Sequence, residues 1–266
     1  MFTLILTYVA LIPPLILMWL IYKQDMVERE PVGLVLQMFL LGCLSPVIVF
    51  AVDIPFSILV SFFGYGLLYD IAYYFIKVAL VEELSKMIML RLRIWNHKEF
   101  NYRFDAIVYS VAVSIGFAAI ENLMYVYNYG FSTGLLRAVT AIPAHTMFSI
   151  FMGYYMGEAK YYTVLKKSAL ANSNKMKALL VPVLLHGAYD FIATRPSSLF
   201  AIIFWVFVAV TDILALTKVI SYARKDKAFT APTPRPQPTN FTEIEKLLEE
   251  IRRQSQAEAD KMSGSH

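Results

Sequence analysis

Cys43 is the single cysteine in 266 residues, which excludes a disulfide within the chain and argues against a thiolate metal cluster. There is no GxGxxG-type nucleotide motif, no HExxH and no internal repeat. Net charge is only +4, and the basic residues sit at the ends of apolar runs, a pattern of membrane orientation and not of a nucleic-acid surface. The opening stretch MFTLILTYVALIPPLILMWLIY lacks a basic n-region and an A-x-A-like cleavage site, so it reads as a retained first span and not as a signal peptide.

What is present is apolar. Hydrophobic residues make up 58% of the chain and mean hydropathy is +0.55, against about 45–50% apolar residues in soluble domains. An all-α, polytopic bundle of transmembrane helices is expected. Its spans fall at about residues 2–22 (kinked at Pro13-Pro14), 32–52, 70–92, 106–128, 135–157, 178–194 and 198–221. Residues 53–69 are apolar but short and broken by Pro55, Gly64 and Gly66, so they read as a re-entrant or surface segment, with a full eighth crossing as the alternative. The basic loops at 91–103 and 160–177 and the segment 224–227 belong on the cytoplasmic side of a cell membrane. Two spans separate each from the next, which leaves the amino terminus outside and the carboxyl terminus inside. The membrane domain is expected over 1–222, a proline-rich linker over 223–241 and a short amphipathic cytoplasmic helix over 242–262, solvated or docked on the membrane domain or on a partner.

The chain is organised around Asp70–Arg93, which is long enough to cross a bilayer yet carries Lys77, Glu82, Glu83 and Lys86. An isolated Asp, Lys or Arg at the centre of a membrane helix costs roughly 2.5–3.5 kcal/mol, so these groups need partners, a metal or water. Lys86 lies four residues from Glu82 and three from Glu83 and can reach either. A buried ion pair stabilising helix packing is the plain alternative, but it does not account for two adjacent acids with one nearby base. Glu121 and Asn122 lie in the next span, His145 in the one after, and His186 and Asp190, four apart and so on one helical face, in the next. Lys77 and Asp212 are lone charges that could serve as counter-ions. With no reactive serine or cysteine evident, acids and imidazoles inside a bundle suit hydrolysis by activated water, through a carboxylate base or a bound Zn²⁺. Cation or proton transport would use the same residue types, although the inverted repeats common in transporters are absent. A non-catalytic scaffold is the third possibility.

Three motifs in order on separate spans, EExxK (Glu82, Glu83, Lys86), FxxxEN (Phe117, Glu121, Asn122) and HxxxD (His186, Asp190), with His145 between the last two, resemble the PrsW-type intramembrane proteases. These are relatives of the CAAX prenyl proteases and bacteriocin-processing membrane proteases. The resemblance implies a membrane-embedded protease, generally treated as a metalloprotease, acting on a membrane-anchored protein such as an anti-sigma factor in a stress response. Glu121 stands where the CAAX branch carries a histidine, which favours the PrsW branch. On this reading Glu82 is the expected general base, and Glu83 pairs with Lys86 or assists. Glu121, His145 and His186 supply metal (Zn²⁺ or another divalent ion) or transition-state contacts, with Asn122 beside them and Asp190 orienting His186.

Overall fold

The computed structural model describes residues 2–25 and 27–229, and among them the architecture is all-α. The helices are α1 (Phe2–Tyr22), α2 (Val32–Leu44), α3 (Pro46–Ser61), α4 (Leu67–Ala72), a π-helical stretch (Tyr73–Leu80), α5 (Val81–Ile94), α6 (Asp105–Tyr129), α7 (Phe131–Val139), α8 (Ala141–Val164), α9 (Ser168–Ala193) and α10 (Ser198–Arg224). They join into seven rods. Ser45 carries α2 into α3 with αR backbone angles, its hydroxyl donating to the Gly42 carbonyl. The segments α4, π and α5 run on as one helix, and α7 bends into α8 at Thr140.

Five of these rods are long and apolar enough to cross a membrane: Val32–Ser61, Asp105–Tyr129, Phe131–Val164, Ser168–Ala193 and Ser198–Arg224. The chain is a multi-pass membrane protein. Residues 53–61 are the second half of the α2–α3 rod, not a segment of their own, because Pro55 is accommodated inside α3. The chain then reverses at Gly64 and Gly66, whose φ values of +72° and +88° other residues adopt only with strain. The rod holding Glu82 thus begins at Leu67, close to the expected residue 70. The helices holding His145 and His186 extend past the expected spans, to Val164 and back to Ser168, so the lysine-rich stretch 160–177 is largely helical. The expected amphipathic helix at 242–262 and its linker beyond 229 lie outside the described residues.

The rod α6 is the axis of the bundle. Every residue from Asp105 to Ala119 is buried, against α1, α2, α5 and α8. Close approach is possible because glycines stand at the crossings. A methyl group on Gly116 would run into the Phe39 carbonyl, one on Gly42 into the Val113 carbonyl, and one on Gly153 would sit 2.5 Å from the Ala106 carbonyl. Helix association within lipid depends on such backbone proximity, since apolar side chains gain little by leaving acyl chains for one another. The outward faces fit that solvent: Leu199, Ile202, Val206 and Ile213 of α10 are all exposed. The core packing leaves Glu82, Glu121, His145 and His186 facing one another between α5, α6, α8 and α9.

Candidate active site

The first glutamate pair sits just after the π-helical stretch, whose wider turns rotate the residues that follow relative to an unbroken α-helix. Adjacent positions on α5 diverge by about 100°, and Glu82 and Glu83 accordingly separate. Glu83 turns into the bundle, fully buried. There its Oε1 accepts from Lys86 Nζ at 2.7 Å and from His186 Nδ1 at 2.9 Å. Lys86, also buried, reaches His145 Nδ1 at 3.1 Å and covers the Phe117 ring. Glu82 faces a cavity of about 310 Å³ whose wall includes Glu121, Arg137, His145, His186 and Asp190.

Glu121 Oε2 lies 2.9 Å from His145 Nε2 and 2.8 Å from Arg137 Nη2. Asn122 turns away from the cavity. It donates from Nδ2 to the Ala10 carbonyl and accepts at Oδ1 from Arg137 Nε at 3.2 Å, which ties α1, α6 and α7 together behind the site. Ser114 donates to the His145 carbonyl, and Phe148 stacks on His186 with ring centroids 4.8 Å apart. The carboxyl end of α6 and the amino end of α8 meet here because Gly130, at φ +88°, turns the chain sharply between α6 and α7. Arg137 was not singled out in the sequence. It sits near the start of an apolar run, where a basic residue reads as an interfacial anchor.

Proton positions follow from the partners. Lys86 only donates, so His145 Nδ1 accepts and its ring proton sits on Nε2, toward Glu121. Glu83 only accepts, so His186 carries its proton on Nδ1. The other nitrogen of His186, Nε2, faces Asp190 Oδ2 at 3.3 Å and Glu82 Oε2 at 3.9 Å. A nitrogen lone pair held against two carboxylates is tolerable only with a proton or a cation among them. Lys77 is not part of this balance: it pairs with Asp53 at 3.2 Å. Asp212 lies elsewhere, on α10 near Leu17 and Met147.

The donor atoms suit a divalent ion. One ligand atom each from Glu82, His145 and His186 lie within 4.8 Å of one another. The Glu82 Oε2 atom is buried without a hydrogen-bond partner. Four carboxylates (Glu82, Glu83, Glu121, Asp190) face two fixed cations (Lys86, Arg137), a deficit of two charges when the imidazoles are neutral. Two imidazoles and a carboxylate form a common zinc-hydrolase donor set. The group within reach of one ion includes Glu82, where the sequence reading named Glu121, whose carboxylate is paired with Arg137 at 2.8 Å.

Residues 30–214 match the model of the PrsW family intramembrane metalloproteases. The chain is 37% identical over 207 residues to Protease PrsW of Oceanobacillus iheyensis, an alignment covering 78% of this chain and 91% of that protein. It is 34% identical over 227 residues to Protease PrsW of Clostridioides difficile, covering 82% and 91%, and 32% identical over 190 residues to that of Bacillus subtilis, covering 70% and 81%. No solved structure matches the chain.

Proposed function

This chain belongs to the PrsW family of intramembrane metalloproteases, and on that premise we propose that the polar cavity between α5, α6, α8 and α9 hydrolyses a peptide bond of a membrane-anchored protein. The observation that carries the assignment is the meeting of Glu82, His145 and His186 within 4.8 Å of one another on the wall of a cavity of about 310 Å³. Family membership makes the protein a peptidase with a membrane-embedded protein substrate. A transporter reading is not favoured.

Glu82, His145 and His186 would hold the ion, His145 joining once it gives up Lys86 and moves its ring proton to Nδ1. A divalent ion such as Zn²⁺ held there supplies a Lewis acid and lowers the pKa of water to about 7. Glu83 fixes the tautomer of His186, the part a carboxylate plays behind a ligating imidazole. Asp190 is the remaining carboxylate with freedom to act, its side chain 26% exposed in the cavity, whereas Glu83 and Glu121 are locked in short ion pairs. It accepts a proton from the attacking water as the water oxygen bonds to the scissile carbonyl carbon. It then returns that proton to the departing nitrogen as the C–N bond breaks, giving a carboxylate and an amine. This gives Glu82, expected from the sequence as the base, the role of ligand. Arg137 keeps Glu121 in place.

The test separates the two roles. Purified full-length protein is stripped with a chelator, assayed on a membrane-anchored substrate, and assayed again after Zn²⁺ is restored. Loss and recovery of cleavage support the ion, and full activity of metal-free protein removes it. Metal content of Glu82→Gln should fall while that of Asp190→Asn stays stoichiometric. A Glu82→Gln protein that keeps its metal restores Glu82 as the base.

The charge of the basic loops supports an orientation with the carboxyl terminus in the cytoplasm and the cavity toward the opposite face of the cell membrane. An anti-sigma factor anchored in that membrane is the substrate class suggested by the motif resemblance. Accessibility labelling at residues 130 and 166 checks the orientation: the first should react from outside, the second only after permeabilisation.

A further inference from the structure

A second group of acids lies far from the cavity, at the other end of α6. Glu121 is sixteen residues beyond Asp105 on that helix, about 24 Å at 1.5 Å per residue. Asp25 and Glu30, from the turn between α1 and α2, meet Asp105 there, and one carboxylate oxygen from each lies within 4.8 Å of the others. All three side chains are buried, exposed by only 2%, 3% and 0%. Acids in a polar turn are ordinarily solvated, so complete burial of three together calls for a counter-charge.

None is supplied by the described residues. No Lys, Arg or His nitrogen among the described residues lies within 4 Å of these carboxylates. Asp105 Oδ2 takes the backbone N–H groups of Asn101 at 2.9 Å and Tyr102 at 2.6 Å, which aims the carboxylate but leaves Oδ1 buried without a partner. Asp25 Oδ2 is likewise buried and unpartnered. Tyr109 donates its hydroxyl to Glu30 Oε2, and Tyr22 donates to the Glu30 carbonyl at 3.0 Å. Asp226, whose Oδ1 accepts from the Phe104 N–H, adds a fourth acid beside Asp25, with its Oδ2 also unpartnered. The turn, the loop before α6 and the segment after α10 are thus drawn together around negative charge. Burial and Asp226 push the Asp25 carboxyl up to about 6, and burial pushes Glu30 up to about 7.

We propose that Asp25, Glu30 and Asp105 form a second cation site, distinct from the catalytic cavity, that takes a hard divalent ion, Ca²⁺ ahead of Mg²⁺. The donors are all oxygen, which disfavours zinc and other softer metals. Their burial favours Ca²⁺, whose six to eight oxygen ligands are readily drawn from carboxylates and carbonyls, over Mg²⁺, which keeps much of its water. The bound ion clamps the turn at 23–30 and the start of α6 and stabilises that end of the bundle. It takes no part in peptide hydrolysis.

The experiment uses full-length protein in detergent, stripped of divalent ions and titrated with CaCl₂ alone, with calorimetry and thermal unfolding as readouts. The wild type and Glu82→Gln should each bind one Ca²⁺ at this site and unfold at higher temperature with it. Asp25→Asn and Glu30→Gln, which relieve repulsion and leave the backbone contacts of Asp105 intact, should fold and bind Ca²⁺ at least tenfold more weakly. Absence of Ca²⁺ binding in the wild type overturns the proposal, since the acids then share protons instead. Wild-type binding in both turn variants, or loss of binding in Glu82→Gln, overturns it too. Equal affinity for Mg²⁺ overturns the choice of ion.

Discussion

Replacing Lys86 with methionine probes how the buried charges support one another. Lys86 is 1% exposed and Glu83 fully buried, 2.7 Å apart, and Lys86 also donates to His145. Methionine keeps most of the volume, so packing changes little. The Glu83 carboxylate loses its one fixed cation among the described residues and keeps the hydrogen bond from His186. Removing one partner of a buried pair costs about 3–5 kcal/mol, because the desolvated charge left behind is uncompensated. Replacing both partners with neutral residues of similar shape removes that penalty. Unfolding of the detergent-solubilised protein, followed by helical circular dichroism against increasing SDS, should therefore show Lys86→Met destabilised by about 3–5 kcal/mol. The double variant Lys86→Met/Glu83→Gln should recover most of the loss, giving a coupling on the order of 2 kcal/mol or more. A single variant within about 1 kcal/mol of wild type, or additive effects in the double, would refute the reasoning.

Other consequences follow from single residues. Gly116→Ala should push α2 from α6 and destabilise the bundle by about 1–3 kcal/mol in the same unfolding assay, whereas Gly33→Ala, whose added methyl meets nothing, should not. Arg137→Gln releases Glu121 and Asn122 together and should lower kcat by about 10–100-fold, with partial recovery in Arg137→Lys; unchanged kcat removes Arg137 from the site. Asp190→Asn should slow cleavage on the order of 10²–10⁴-fold without loss of bound metal, and a near-normal rate would move the proton transfer to another group.

Most of the site was legible because charge within an apolar run is conspicuous. Glu82, Glu83, Glu121, His145 and His186 stand out against their neighbours for a thermodynamic reason, and the structure brings all of them to one place. Their pairings were less legible. That Glu83 fixes His186 is a contact across 103 residues, and the i,i+4 spacing of His186 and Asp190 suggested a nearer partner. Asn122 looked like a companion of Glu121, but adjacent helical residues diverge, and it faces α1 and α7 instead. Arg137 and the acids at 25, 30 and 105 escaped notice because charge near helix ends and in turns is unremarkable until burial is known. Residues 53–69 misled for a related reason: proline and glycine mark breaks, yet Pro55 sits inside a helix and only the two glycines turn the chain.

The central claim is that the cavity holding Glu82 is where peptide bonds are broken. Its most direct test is the cleavage rate of a membrane-anchored substrate reconstituted with wild type or Glu82→Gln in liposomes, a substitution that leaves the Lys86–Glu83 pair intact. The account predicts a rate lower on the order of 10²-fold or more for a folded, inserted protein; cleavage at the wild-type rate would contradict it.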